Sequence, residues 1–239
     1  MNTLPPKSIS DNSRVYDKEF ALFNSPYFDR RRTFYVCSFG GCGSRMLCVY
    51  LGFFGVVRHI HSRAPPAGDL RAPYNVDGAH EWFNPATPAP AGTVVIYLYR
   101  DPIRAIMSRF VVGDDPTRSN RPHLRNIQCQ RDDISLAEVI HGGRDFYGLE
   151  QFHDNYTLAA AAPSRKYAIV CVKYETLWEN IAEFNRAVGI PNRPNCYQPR
   201  KETAHGLAAA DEATLRGIYG GLIKKMSDMP PILVIIPST

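Results

Sequence analysis

Apolar residues fall along the chain in short blocks, separated by polar stretches with helical spacing. Residues 33–39, TFYVCSF, and Thr93–Tyr99, TVVIYLY, are unbroken β-branched and aromatic runs, the pattern of strands covered on both faces. Residues 167–173 repeat it, and Val56–Ile60 reads as a further strand. Helical spacing covers residues 44–51, 102–110, 136–140, 146–162, 177–188 and 211–226. Asp101 before Pro102 is a good cap for the second of these, and Gly189 with Pro191 closes the fifth. Residues 232–236 form an edge strand or a packing tail. Residues 1–32 read as a loose lead-in with one short helix over 17–23, and the proline-broken stretches 64–90 and 114–131 read as loops. This alternation predicts a three-layer α/β domain, with a central parallel sheet flanked by helices.

Composition narrows the class. A chain of 239 residues is long enough to bury one sizeable core, so a single domain over residues 1–239 is expected. The hydrophobic share of 44% and charged share of 21% exclude a disordered or fibrous class. A formal charge of +5 suits an anionic small ligand as readily as a nucleic acid; no nucleic-acid partner is expected. No apolar run approaches the roughly 20 residues of a membrane span, and the first residues lack the order of a signal peptide, so a soluble chain is expected. The cysteines, Cys37, Cys42, Cys48, Cys129, Cys171 and Cys196, show no C-x-x-C spacing and no small secreted framework. Reduced thiols in a cytoplasm are the expectation.

The first strand runs into Gly40, Gly41, Cys42 and Gly43 and then into a helix beginning at Ser44 and Arg45. Glycines let backbone N–H groups close around an anion, and the free amides and positive dipole end of the helix face the same place. The same glycines also serve in a plain tight turn. The loop lacks the lysine of G-x-x-x-x-G-K-[ST] and the third glycine of G-x-G-x-x-G, which weighs against ATP hydrolysis and a nicotinamide cofactor. A second anion site is legible after the strand Thr93–Tyr99. Arg100 ends that strand and Ser108 follows after 108 − 100 = 8 positions. A guanidinium can fork onto a phosphate while a hydroxyl reaches another oxygen.

With these motifs the chain resembles the sulfotransferases that use 3′-phosphoadenosine 5′-phosphosulfate. Gly40, Gly41, Cys42, Gly43, Ser44 and Arg45 stand at that family's 5′-phosphosulfate loop, and Arg100-Asp101-Pro102 with Ser108 at its 3′-phosphate site. The stretch VCVKYETL over 170–177 is similar to its strand ending in Tyr-Glu-x-Leu, and FYGLEQFHDNY over 146–156 to the preceding helix. The resemblance spans about residues 33–190 and implies the P-loop NTPase-like sulfotransferase fold. It also implies a sulfuryl donor whose product is adenosine 3′,5′-bisphosphate, and an acceptor hydroxyl on a small molecule, lipid or glycan. One departure stands out: Gly41 occupies the place of the family's loop lysine or arginine. Arg45 is the candidate substitute, its alternative being a solvent-facing arginine. The late basic pair Arg200 and Lys201 is a further candidate for the nucleotide.

In-line sulfuryl transfer needs cover on the sulfonate, cover on the leaving phosphate and a base on the nucleophile. The resemblance places that base before the second phosphate strand, where His80 and Glu81 are candidates with His61 behind them, and Trp82 and Phe83 would line the acceptor pocket. A neutral imidazole is suited to accept a hydroxyl proton near pH 7. No metal is expected, since His59 and His61 on a strand make no ligand cluster. Two alternatives stay open: a P-loop kinase or nucleotide hydrolase, and a non-catalytic nucleotide-binding protein of the same fold.

Overall fold

A computed structural model describes residues 16–20, 24–60, 63–65, 92–110, 134–158, 165, 167–192 and 206–236. The strands are β1 (Tyr16–Phe20), β2 (Thr33–Cys37), β3 (Val56–Ile60), β4 (Thr93–Tyr99), β5 (Ile169–Lys173) and β6 (Ile232–Ile235). The helices are α1 (Ser44–Gly52), α2 (Pro102–Met107), α3 (Leu136–His141), α4 (Leu149–Thr157), α5 (Tyr174–Leu177), α6 (Ile181–Ala187) and α7 (Ala209–Asp228). The strands form one six-stranded sheet in the order β1-β3-β2-β4-β5-β6. The inner strands β3, β2, β4 and β5 are parallel, and β1 and β6 close the edges antiparallel. The expected parallel sheet is therefore mixed at its margins.

The central strands β2 and β4 are almost wholly apolar because both their faces are covered. Phe34, Tyr35, Val36 and Cys37 of β2 and Val95 to Tyr99 of β4 are buried. The crossover from β2 through α1 to β3 runs one way from the centre, and the crossover from β4 to β5 runs the other way. Since such crossovers are right-handed, their helices lie on opposite faces. Tyr50 of α1 donates to Asn185 of α6 at 2.8 Å, tying the helices of one face together. On the other face Tyr97 stacks on Tyr156 of α4 at 4.5 Å, and Tyr156 stacks on Phe152 at 5.3 Å; α7 packs against α2, α3 and α4.

Three element readings are corrected. Residues 17–23 do not begin a helix: Tyr16–Phe20 is a strand paired with β3 through Glu19 and Arg58 and through Phe20 and Val57. The free edge of β3 supplies backbone partners that outweigh a weak local pattern. The helix expected over 177–188 is shorter: α6 begins at Ile181, after the short α5 and a turn over 178–180. The helix expected over 146–162 is shorter, Leu149–Thr157, because it starts after Gly148 in a left-handed conformation and ends where Leu158 turns extended. Among the described residues no helix is long and apolar enough to cross a membrane. Cys37, Cys42, Cys48 and Cys171 are buried; Cys129 and Cys196 lie outside the described residues.

Candidate functional site

Strand β2 has β3 on one side and β4 on the other, so the connections diverge between β2 and β4. In open α/β sheets ligands bind outside the carboxyl ends of the strands at such a switch point. The glycine loop leaves β2 at that end, and Arg100 follows β4 directly beside it.

The loop is built by close approach. Gly40, Gly41 and Gly43 take φ of 97°, 68° and 73°, a region that side chains rarely adopt. A Cβ on Gly41 would sit 2.0 Å from Ser108 Oγ and 2.6 Å from the Ala105 carbonyl, and one on Gly43 would sit 2.2 Å from the Tyr174 ring. The loop is thus wedged between the end of α2 and Tyr174. Its entry is held by Arg109, which is buried, lies 3.9 Å from the centre of the Phe39 ring and donates Nη2 to the Phe39 carbonyl.

Cys42 is buried between the glycines, and its Sγ donates to the Gly40 carbonyl at 3.3 Å. Burial pushes this thiol up to about 11, against the opposing pull of Arg100 and Arg109. It stays protonated at neutral pH and acts as packing rather than as a nucleophile. Ser44 opens α1 and is also buried, with its Oγ 2.7 Å from His59 Nε2. Because Gly43 provides no side-chain cap for α1, the first amides of this helix are donors of the kind that hold anions. Arg45, the next residue, is exposed.

Arg100 meets the loop directly. Its Nη1 donates to the Gly41 carbonyl at 3.1 Å, its Nε lies 3.7 Å from Glu175 Oε1, and its guanidinium covers the Tyr174 ring at 5.1 Å. Glu175 Oε1 also accepts from the Asp101 amide at 2.9 Å. Ser108 donates its hydroxyl to the Ala105 carbonyl at 2.8 Å and faces Gly41. Arg100 and Ser108 therefore converge on one glycine of the loop, and the two candidate anion sites share a wall. Asp101 caps α2 as expected, its Oδ1 accepting from the Arg104 amide at 3.0 Å.

His80, Glu81, Arg200 and Lys201 lie outside the described residues, as do His61, Trp82 and Phe83. Among the described residues no group of three or more His, Cys, Asp or Glu could hold a metal ion. Sequence reasoning did not single out His59 as the partner of Ser44, Glu175 as the partner of Arg100, or Arg109 as the clasp on Phe39. Each joins residues far apart in the chain, with 59 − 44 = 15, 175 − 100 = 75 and 109 − 39 = 70 positions between them. Of these, only Glu175 had a local signal, lying in the Tyr-Glu-x-Leu stretch. A cavity of about 720 Å³ opens on the other side of Arg100, between α2 and α7.

No family model matches the chain, and no curated protein or solved structure matches it.

Proposed function

We propose that the chain is a sulfotransferase that moves a sulfuryl group from 3′-phosphoadenosine 5′-phosphosulfate to an acceptor hydroxyl. The observation that carries the reading is the meeting, at the switch point of the sheet, of a side-chain-free loop with a guanidinium. Gly41 and Arg100 are in hydrogen-bond contact there.

The residues present suit a doubly phosphorylated nucleotide. The loop amides and the uncapped start of α1 would hold the 5′ end, with the Ser44 hydroxyl oriented by His59. Arg100 and Ser108 would take the 3′-phosphate, exchanging their contacts with the Gly41 and Ala105 carbonyls for stronger charge-assisted ones. Tyr174, already packed on the loop and under Arg100, would fix the loop against the nucleotide. The donor supplies an activated sulfonate whose sulfur–oxygen bond breaks as the acceptor oxygen bonds to sulfur; the acceptor proton would pass to His80 or Glu81. Arg200 and Lys201 would add positive charge over the nucleotide, and Arg45 would stand in for the loop cation.

One observation favours a second reading, a nucleotide-binding protein without turnover. The place of the family's catalytic lysine is taken by Gly41, where even a Cβ meets Ser108 and Ala105. The loop has no room for that side chain.

Calorimetry with adenosine 3′,5′-bisphosphate, adenosine monophosphate and magnesium ATP tests the shared premise. The bisphosphate is expected to bind at least about tenfold tighter than the monophosphate. Arg100→Ala and Ser108→Ala should each remove most of that preference, as fits charge-assisted bonds worth about 1.5–3 kcal/mol. Equal affinity for the two nucleotides overturns the proposal, and a preference for magnesium ATP replaces it with a kinase or hydrolase. Transfer of labelled sulfate then separates the two readings: bisphosphate binding without transfer over an acceptor panel selects the non-catalytic one.

A further inference from the structure

Ser44 and His59 form an enclosed polar pair beside the glycine loop. Ser44 is the first residue of α1 and His59 the fourth of β3, and they are only 4% and 5% exposed. Strand β3 runs parallel to β2 with His59 level with Val36. Its carboxyl end is fastened to the entry of the loop, where the Ser38 amide donates to the Ile60 carbonyl at 3.0 Å. This register brings the imidazole to the start of α1, with Nε2 at 2.7 Å from Ser44 Oγ.

A serine hydroxyl has one proton to give and two lone pairs with which to accept, so its bond to His59 can run either way. If Oγ–H donates to a bare Nε2, the hydroxyl turns only lone pairs toward anything bound in the loop. If Nε2–H donates to Oγ, the hydroxyl proton is left over. Among the described residues the Ser44 side chain has no second hydrogen-bond partner. In the second arrangement that proton therefore has no acceptor among them.

The surroundings decide between the two. Among the described residues the Ser44 and Arg45 amides carry no hydrogen bond, while the next amide, that of Met46, donates to the Gly43 carbonyl at 3.0 Å. Free amides at the positive end of a helix without a side-chain cap favour an anion. Beside that anion a hydroxyl is favoured as a donor, because a hydrogen bond to a charged acceptor is roughly twice as strong as a neutral one. A hydroxyl that offers lone pairs alone opposes it.

We infer that His59 is a positioning residue for the phosphate loop. It carries its proton on Nε2, donates to Ser44 Oγ and so commits the Ser44 hydroxyl to donate to the anion held there. This rests on the reading of the loop as the seat of the nucleotide's 5′ end, and adds the direction of the bond and the residue that sets it. With Nε2 spent on Oγ, the imidazole acts on the nucleotide through Ser44.

Nitrogen-15 NMR of the full chain reads the imidazole directly. In spectra saturated with adenosine 3′,5′-bisphosphate, with the His59 signals assigned through the backbone of β3, Nε2 should be protonated. A bare Nε2 in the bound chain would overturn the inference. So would a gain of mass at Ser44 on incubation with the sulfuryl donor, which would mark the hydroxyl as a nucleophile with His59 as its base. By calorimetry, Ser44→Ala and His59→Leu should each weaken bisphosphate binding about tenfold, and the double variant should lose no more than either alone. His59→Gln, whose side-chain amide can donate from near the place of Nε2, should stay within about threefold of the native affinity. Additive losses, or His59→Gln binding as weakly as His59→Leu, would reduce the histidine to a packing role. Should His59→Leu fold poorly, the spectra of the native chain still decide. Inorganic phosphate as a second probe keeps this inference apart from the nucleotide reading. A protonated Nε2 with phosphate bound, in a chain that binds no bisphosphate, would sink the nucleotide and leave the role of His59 standing; a chain that binds neither anion would overturn both.

Discussion

At the scale of single residues, Gly41 is the most constrained position in the site. Its φ of 68° and the 2.6 Å approach of a would-be Cβ to a backbone carbonyl leave no cheap accommodation, since the carbonyl belongs to a helix and cannot rotate away. Gly41→Ala is expected to destabilise the fold by about 2–3 kcal/mol, read as a lower urea midpoint with an unchanged slope. His153 carries a different prediction. It is 1% exposed, its Nδ1 lies 3.3 Å from the Tyr97 hydroxyl, and burial lowers it from 6.5 to about 4. Asp154 and Glu150 pull it upward and Lys225 pushes it down, but burial dominates. The unfolded chain therefore binds the proton that the folded chain refuses. Stability contributed by neutral His153 is fully present above pH 6.5 and is lost as pH falls toward 4, by about 3 kcal/mol in all. Urea titrations at pH 7, 6, 5 and 4 should show this slope, and His153→Phe should flatten it.

At the scale of elements, the caps set the ends. Asp101 holds the start of α2 through the Arg104 amide, so Asp101→Ala should cost about 1 kcal/mol while Asp101→Asn costs less, by denaturant midpoint. Legibility in the sequence follows the same division between local and distant causes. Thr93–Tyr99 and Val56–Ile60 are strands over the very residues expected; for the first, an unbroken apolar run is a local statement about burial on both faces. The start of α2 was legible because Asp-Pro is a local signal. Strand β1 was not, because Glu19 pairs with Arg58, 58 − 19 = 39 positions on, and nothing within Tyr16–Phe20 states that partner. The late start of α6 at Ile181 was equally hidden, since amphipathic spacing runs through the turn over 178–180. The capping box of α3, Ser135 with Glu138, was written in the sequence as S-x-x-E and passed over.

At the scale of the whole molecule, the sheet order decides what the local motifs could not. The glycine loop and Arg100 were each legible alone, and the parallel register of Thr33 with Thr93 and of Cys37 with Tyr97 brings their ends level across the switch point. The cavity was not legible, because it lies between α2 and α7, which stand far apart in the chain on either side of β5. The wedge of Gly41 against α2 also limits how the loop could be re-engineered. Placing a lysine there is not a one-step change: removing the Ser108 hydroxyl would still leave the Ala105 carbonyl in the way. An engineered form with a cation at this position must shift its helix and its loop in concert, so directed evolution by scattered point changes should find routes through Arg45 first.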